Sequence, residues 1–405
     1  MRNAGRALIA AVAMSVIVAA SAAAQKKYDP GASDSEIRIG NTMPYSGPAS
    51  AYAAVGKAAA AYFRMINDQG GVNGRKIKFI SYDDAYSPPK TVEQARKLVE
   101  GDEVLFLVAS LGTAPNSAIH KYMNARKVPH LFVSTGATKW GDPKNFPWTM
   151  GYQPNYQSEG RIYAKYILAG HPAGKVAVLF QNDDYGKDVL KGLRDGLGDK
   201  AGMIVAEAPY EVSDPTVDSQ VVRLRSSGAD IFVNIATPKF AAQAIKKVAE
   251  LGWKPTHILN NVAGSIGSVL RPAGLQNSKG ILSTAYFKDQ TDPALANDPA
   301  VKEWTAFMDK YLPEGDKANN SHVSGYTIAQ LTVRVLTACG DDLTRANVMK
   351  QAASLKDVEL GMLLPGIKVN TSPTDYFPLK ELQMRRFNGE GWENFGPIIS
   401  GEIGS

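Results

Sequence analysis

The feature that most constrains this chain is a regular alternation of short β-type runs with helical patterns. Short apolar, β-branched runs indicate strands. The first half contains four of them: Ile37–Met43, Ile77–Tyr82, Val104–Ala109 and His130–Ser134. The segments between them have helical periodicity: Ala54–Gln69, Thr91–Glu100 and Ala114–Arg126. This β-α-β order predicts a parallel sheet with helices on both faces.

The alternation stops at an irregular segment, KNFPWTMGYQPNYQSEG at residues 144–160, and then starts again. Further strands are predicted at Val176–Phe180, Met203–Glu207, Ile231–Ile235, Ile258–Asn260 and Gly280–Phe287. Three helical patterns follow: Pro299–Tyr311, Ser321–Ala338 and Thr344–Ala353. The tail KELQMRRFNGEGW is typical of a strand and a turn.

Two similar halves joined by several crossings predict an α/β protein of two Rossmann-like lobes with a cleft between them. We expect three crossing strands, near Thr149–Gln153, Thr284–Phe287 and Leu379–Leu382. One lobe would then comprise residues 25–150 and 286–380. The other would comprise residues 151–285 and 381–405.

The first residues have the pattern of a secretory signal peptide. Arg2 and Arg6 give a basic start, residues 7–20 are apolar, and Ala22–Ala24 fits a small-residue cleavage site. We predict cleavage after Ala24, which removes residues 1–24 and leaves a soluble protein in a bacterial periplasm. Elsewhere no apolar run approaches the ~20 residues of a membrane-spanning helix.

Composition argues against several functions. The formal charge of +6 is spread along the chain, without a basic run or an aromatic-basic motif, so nucleic acid is not an expected partner. The single cysteine, Cys339, lies in an apolar helical pattern and is expected in the core. With one cysteine, no intramolecular disulfide can form.

No sequence motif indicates an enzyme. The chain lacks GxxxxGK[ST], a GxGxxG after a strand and a GxSxG elbow. The histidines lack zinc spacing, and we expect His120 and His130 at the surface or as hydrogen-bonded core residues. Ser87-Pro-Pro-Lys90 resembles SxxK only in form, because two prolines are expected to prevent the helix that this motif needs. We therefore expect no catalysis, no cofactor and no metal.

Hydroxyl, amide and aromatic residues gather where the predicted strands end, which is where ligands bind in open α/β sheets. In chain order they are Ser46, Gly47, Tyr52, Ser110–Thr113, Ser134–Thr138, Asn182–Gly186, Thr237, Asn260 and Asn261. Helix N-termini with nearby hydroxyls suit a carboxylate, and tyrosines can cover an apolar ligand. Each of these residues taken alone could equally be a helix cap or a turn residue.

The same residues carry a resemblance to a known family. The pieces MPYSGPASAY, MINDQGGVNGRKIKFISYDDAYSPPKTVEQARKLV, LGTAPNSA, VSTGAT, DDYGKD and RFNGEGW occur in family order. Together they resemble the leucine/isoleucine/valine-binding proteins, the type I solute-binding proteins of ABC importers. The resemblance covers essentially the whole mature chain. It implies two Rossmann-like lobes, joined by three strands, that close on a small ligand.

The resemblance also implies roles for individual residues. The ligand carboxylate would be held by Ser110, by the backbone of Gly136 and by Thr138. Tyr52 would cover the ligand from one lobe and Tyr185 from the other. The remaining residues expected around the ligand are Ser46, Leu111, Gly112, Ala137, Thr237 and Asn261.

Two features depart from the family pattern. A tyrosine and a glutamate that hold the α-ammonium group in the family correspond here to Thr237 and Asn261. The positions of the family's small disulfide match Tyr86 and Ser110. A buried ammonium without an anionic partner is costly, so the ligand need not carry an amine. Asp183 or Asp184 could supply the missing charge, or could instead cap the helix that starts near Gly186.

We therefore expect a small carboxylate ligand with an apolar or aromatic body. Aromatic acids and 2-oxo acids are favoured, and branched-chain amino acids are the alternative. The expected partner is an inner-membrane ABC permease with its ATPase subunits, and the binding protein is expected to be a monomer. An exported sensor subunit would use the same fold, and sequence alone does not separate the two.

Overall fold

The computed structural model describes residues 26–402, so the predicted signal peptide lies outside the described residues. The strands are β1 Lys27–Tyr28, β2 Glu36–Met43, β3 Lys76–Asp83, β4 Phe106–Val108, β5 His130–Val133, β6 Thr149–Gly151, β7 Val176–Gln181, β8 Ile204–Tyr210, β9 Ile231–Ile235, β10 Thr256–Leu259, β11 Leu282–Ala285, β12 Asp342–Leu343, β13 Glu381–Phe387 and β14 Trp392–Ser400. The helices are α1 Ala53–Asp68, α2 Pro88–Arg96, α3 Thr113–Ala125, α4 Tyr156–Gly170, α5 Asp184–Leu197, α6 Asp218–Ser226, α7 Pro238–Glu250, α8 Arg271–Ala273, α9 Pro299–Tyr311, α10 Ser321–Cys339 and α11 Arg345–Ala352.

Two main sheets organise the chain. The first has the order β3-β2-β4-β5-β6 and is entirely parallel, with Ile39 of β2 opposite Phe79 and Phe106. The second has the order β14-β13-β11-β10-β9-β7-β8, in which the pairs β11/β13 and β13/β14 are antiparallel. We call each sheet with the helices packed on it the first and the second lobe. The predicted α/β fold of two lobes is confirmed.

Both faces of the first sheet are buried, as parallel sheets usually are. The middle strand β4 shows this clearly. Phe106 and Val108 pack into a large apolar cluster that also holds Ile39, whereas Leu107 packs on the other face against Leu98. Side chains that alternate between two covered faces explain why these strands read as continuous apolar runs.

The chain crosses between the sheets three times. β6 ends in the first sheet at Gly151, and α4, which packs on α5 of the second lobe, begins at Tyr156. β11 ends in the second sheet at Ala285, and β13 returns to that sheet at Glu381. The segment between them includes α10, which packs on α1 of the first lobe. The residue boundaries of the lobes, 25–150 with 286–380 and 151–285 with 381–405, stay predictions.

Two local predictions were wrong. The prolines of Ser87-Pro-Pro-Lys90 do not prevent a helix, because α2 begins at Pro88. Proline is tolerated in the first turn, where its missing N–H would have had no partner within the helix. Thr149–Gly151 was expected only as a crossing, but it also pairs with β5 as the edge strand of the first sheet. No helix among residues 26–402 is long and apolar enough to cross a membrane.

Candidate functional site

A cavity lies between the two lobes, at the ends of their strands. It encloses about 910 Å³ of space, part of which is open to solvent. The loops after β3, β4 and β5 line it from the first lobe, together with the start of α1 and the first turn of α10. The first turns of α4 and α5, the loop after β10, and strands β11 and β13 line it from the second lobe.

Tyrosines make up much of this wall, among them the four residues Tyr52, Tyr86, Tyr156 and Tyr185. The rings of Tyr156 and Tyr185 meet edge to face with centroids 5.1 Å apart. Burial raises the pKa of each of the four hydroxyls, so all four are neutral at physiological pH. Such rings offer a large apolar surface with few charges, which suits an apolar or aromatic ligand body.

The position of Tyr86 depends on Gly112, in the loop between β4 and α3. Gly112 has a φ of +96°, and a Cβ atom there would lie 2.4 Å from a ring carbon of Tyr86. Only glycine combines this backbone conformation with so close an approach. The small residue thus lets the ring lie against the loop that follows β4.

Six of the predicted site residues line the cavity: Tyr52, Leu111, Gly112, Tyr185, Thr237 and Asn261. Several of their polar groups already have partners. The Tyr185 hydroxyl donates to Asn260 Oδ1 at 2.9 Å. The Thr237 Oγ1 donates to Gln181 Oε1 at 3.2 Å. These residues therefore contribute shape more than free hydrogen-bonding groups, and their ligand-binding roles stay predictions.

The other five predicted site residues do not line this cavity. Ser46 is exposed, and its backbone N–H and its hydroxyl both donate to Asp83. Ser110 is fully buried and its Oγ lies 3.4 Å from the backbone nitrogen of Thr42. Ala137 is also buried, between Gly136 and Thr138 in the chain.

Gly136 and Thr138 contact the first chain crossing and the second lobe. A Cβ atom at Gly136 would lie 2.2 Å from the carbonyl oxygen of Pro154, so this glycine packs directly under the first crossing. The N–H of Thr138 donates to Asp188 Oδ2 at 2.6 Å, and its hydroxyl bonds to Asn155. Thr138, which was predicted to bind the ligand's carboxylate, thus binds a carboxylate of the protein through its N–H.

The two acids proposed as ammonium partners also lie outside the cavity wall. Asp183 caps α5, because its Oδ1 accepts hydrogen bonds from the N–H groups of Tyr185 and Gly186. Asp184 forms a salt bridge with Lys139. The capping alternative is therefore confirmed for Asp183. Behind the wall, Glu159 is fully buried and burial raises its pKa.

The charged side chains that do line the cavity are Lys288, Asp289 and Arg385. Lys288 is paired with Asp298 at 2.8 Å. Arg385 is buried, its guanidinium carbon lies 4.2 Å from the ring centroid of Trp392, and burial lowers its pKa to about 10. It therefore stays positively charged at neutral pH.

Contacts across the cleft show a closed arrangement of the lobes. The Tyr52 hydroxyl donates to the carbonyl oxygen of Val262 at 3.1 Å, above the cavity. At one edge, the N–H of Gly267 donates to Ala318 at 2.9 Å. At another, the bond of Thr138 to Asp188 joins the loop after β5 to α5. A ligand in this cavity would be enclosed by both lobes.

Sequence reasoning missed three prominent residues of the site. Tyr86 was considered only as the counterpart of a cysteine, and Tyr156 only as part of an irregular crossing. Arg385 was not singled out because it stands next to Arg386 in the sequence. Successive side chains of a strand point to opposite faces, so only one of the two arginines can face the cavity. The sequence feature that could have identified Arg385 is the position of this pair on the last predicted strand, just before the NGEG turn.

The histidines do not form a site. Among residues 26–402, no three His, Cys, Asp or Glu side chains are grouped to hold a metal ion. His120 and His130 are both buried, but the expectation that a buried ring would be hydrogen-bonded was wrong. Nε2 of His120 and both ring nitrogens of His130 have no hydrogen-bond partner in the protein. Cys339 is a buried free cysteine, as predicted.

Comparisons with known proteins agree with this geometry. The model of the periplasmic binding protein family matches residues 36–389. A protein of Brucella abortus (strain 2308) named Leu/Ile/Val-binding protein homolog 7 is 25% identical over 372 residues, which cover 87% of this chain and 88% of that protein.

Two solved structures show the same fold. One is a branched chain amino acid ABC transporter protein of Thermus thermophilus with bound valine, with a TM-score of 0.80, 16% identity, and coverage of 90% of this chain and 96% of that one. The other is a fatty acid ABC transporter substrate-binding protein of Thermomonospora curvata, with a TM-score of 0.77, 20% identity, and coverage of 93% and 95%. The family match spans most of the chain, and the cavity lies between two lobes of the fold these structures share. The chain therefore belongs to the periplasmic binding protein family and has the type I fold of that family.

Proposed function

We propose that this protein captures a small carboxylate with an apolar or aromatic body and delivers it to an ABC permease in the inner membrane. The observation that carries the proposal is the cavity itself, which is lined by tyrosines from both lobes and bridged above by the bond of Tyr52 to Val262. Ligand contacts to both lobes exist only when the cleft is closed. Binding would therefore favour the closed form, which is the form that docks on the permease.

The relatives support the class of ligand. One structural neighbour is named for fatty acids and another contains valine, and both ligands join a carboxylate to an apolar body. The tyrosine-rich wall of this chain suits such a body, and aromatic acids in particular. Export to the periplasm, a monomeric state and an ATPase-driven permease as partner are parts of the same proposal.

The ligand need not carry an amine. At the second-lobe positions where the family holds an ammonium group, this chain has Thr237 and Asn261. The hydroxyl of Thr237 is engaged by Gln181, and neither residue carries a negative charge. The carboxylate of Glu159 is also occupied, by Asn260, by Thr284 and by two further donors. A 2-oxo acid or an aromatic acid fits this surface without leaving an ammonium unpaired.

Calorimetric titration of ligand-free protein with matched pairs tests this proposal. The pairs are leucine with its 2-oxo acid, and phenylalanine with phenylpyruvate. We expect each oxo acid to bind at least about 100-fold more tightly than its amino acid, because an unpaired buried ammonium costs several kcal/mol. Tight binding of leucine with no binding of its oxo acid would refute the proposal. Ligand recovered intact after denaturation would exclude turnover.

Branched-chain amino acids remain a second candidate, because one carboxylate does line the cavity. Asp289 lies on the wall beyond β11 and could approach an ammonium group. In that case Asp289→Asn would weaken the binding of leucine and leave its oxo acid unaffected. The genes beside this one separate import from sensing, because permease and ATPase genes indicate an importer and a kinase gene indicates a sensor.

A further inference from the structure

Arg385 is a buried cation with an unused donor. Its side chain lines the cavity, only 6% of the residue is exposed, and its Nε has no hydrogen-bond partner in the protein. A buried donor without a partner costs about 1–3 kcal/mol, and more when the group is charged. Most buried polar groups in proteins have a hydrogen-bond partner, so an unpaired charged donor that faces a cavity points to a group bound there.

The surroundings hold this guanidinium in one place. Arg385 lies on β13 and packs over Trp392 of β14. On the other side, its Nη2 lies 2.1 Å from where a Cβ atom of Gly264 would be, so the absent side chain of this glycine makes room for it. The ring and the glycine together leave the guanidinium little freedom to turn away from the cavity.

The nearest acid does not satisfy this group. Asp289 lies close enough for its charge to act on Arg385. Its Oδ1 accepts from the backbone N–H of Thr291 at 2.9 Å and from the Thr291 hydroxyl at 2.7 Å. Its Oδ2 accepts from the backbone N–H of Trp392 at 3.2 Å. These bonds come from Thr291 and Trp392, and none comes from Arg385.

The first lobe presents complementary groups to the same cavity. Ser321 and Ser324 of α10 line it, and the Oγ of Ser324 is buried without a hydrogen-bond partner. They belong to the first turn of a 19-residue helix, whose dipole favours a negative charge at this end. The guanidinium of Arg385 and the hydroxyl of Ser324 thus line one cavity from opposite lobes, and each has an atom without a hydrogen-bond partner in the protein.

We propose that Arg385 is the residue that binds the anionic group of the ligand, with Ser324 and the first turn of α10 contacting the same group from the first lobe. This inference rests on the proposed capture of a carboxylate. It replaces the carboxylate site predicted at Ser110, Gly136 and Thr138, which do not line the cavity. Because the anion contacts both lobes, its binding couples directly to closure.

The test compares two arginines on one strand. Arg385→Met keeps the apolar stem and removes the charge, whereas Arg386→Gln changes the exposed neighbour on the opposite face of β13. Titrations use phenylpyruvate and the 2-oxo acid of leucine. We expect Arg385→Met to lose about 100-fold or more in affinity, because a buried charge then loses its partner. Arg385→Lys should lose about 10-fold, because the bidentate fork is gone, and Arg386→Gln should stay within about 3-fold of wild type.

Thermal unfolding without ligand shows whether Arg385 is instead structural. Removal of a buried cation with an unsatisfied donor should raise the melting temperature of Arg385→Met by a few degrees, whereas loss of a structural arginine would lower it. Unchanged carboxylate affinity in Arg385→Met, together with loss of affinity in Thr138→Ala, would overturn the inference and leave the proposed function standing. Wild-type protein that binds no carboxylate at all would overturn both.

Discussion

His130 lies at the start of β5 with none of its surface exposed, and neither ring nitrogen has a hydrogen-bond partner in the protein. Burial, with a smaller contribution from the nearby His120, lowers its pKa to about 3. The unfolded chain takes up a proton below a pH of about 6.5, whereas the folded protein does not. Stability therefore falls as the pH falls from about 6.5 towards about 3.

We predict that His130→Phe reduces this loss of stability. At pH 5 the wild-type histidine should cost about 2 kcal/mol relative to pH 7, because pH 5 lies about 1.5 below the unfolded pKa and each pH unit is worth about 1.4 kcal/mol. Urea unfolding at the two pH values measures the difference, with His171→Gln, a change at a half-exposed ring, as control. An equal loss of stability in wild type and His130→Phe would show that this ring is not the cause.

At the same scale, the sequence predicted the aromatic part of the site better than its charged part. Tyr52 and Tyr185 line the cavity because each belongs to a turn directly before or within the first turn of a helix. Thr138 has the same kind of position, yet its N–H turns to Asp188. The acceptor of the Thr138 N–H depends on how the second lobe packs against the first. The sequence around the end of β5 does not contain that information.

Among the elements, the strands of the first sheet were predicted closely, because apolar, β-branched runs bounded by polar turns seldom form anything other than strands. β2 and β3 extend only a residue or so beyond the predicted bounds. The pairing of β6 was missed, since three residues between a tryptophan and a tyrosine carry little pattern. Its place is decided by the register of β5 rather than by its own sequence.

The loop between β4 and α3 gives a prediction at this scale. Gly112→Ala should destabilise the protein by about 2–3 kcal/mol and weaken ligand binding, because it strains the backbone and displaces Tyr86. Gly74→Ala is the matched control, since Gly74 also has a positive φ, of +78°, but open space where a Cβ would be. It should cost only about 1 kcal/mol and leave binding unchanged. Urea unfolding and calorimetry measure the two effects, and equal results for both variants would contradict the role given to Tyr86.

For the whole molecule, the question is what keeps the two lobes closed. Two salt bridges span the cleft, Lys139 with Asp184 and Arg271 with Asp316, and all four side chains are substantially exposed. Exposed pairs of this kind contribute about 0–1 kcal/mol each. They are too weak to hold the closed form alone, so the hydrogen bonds across the cleft and contacts with a ligand have to contribute the rest.

We therefore predict that the double variant Asp184→Asn/Asp316→Asn still closes on ligand. Small-angle scattering should show a smaller radius of gyration with phenylpyruvate than without it, in wild type and in the variant. The affinity should fall by less than about 30-fold, because two exposed pairs are worth at most ~1 kcal/mol each, and a tenfold change corresponds to about 1.4 kcal/mol. No change of radius at saturating ligand in wild type would contradict closure. A variant that stays open would show that the salt bridges drive it.

The interleaved order of the chain also bears on how the protein is made. The first sheet is complete at Gly151, but α10, which packs on its helix α1, begins at Ser321. The second sheet receives its last two strands only at Glu381–Ser400. A chain that emerges from the ribosome N-terminus first therefore cannot finish either lobe until nearly all of it has been synthesised. Throughout synthesis it presents uncovered apolar surface, so a chaperone has a long interval in which to keep it unfolded.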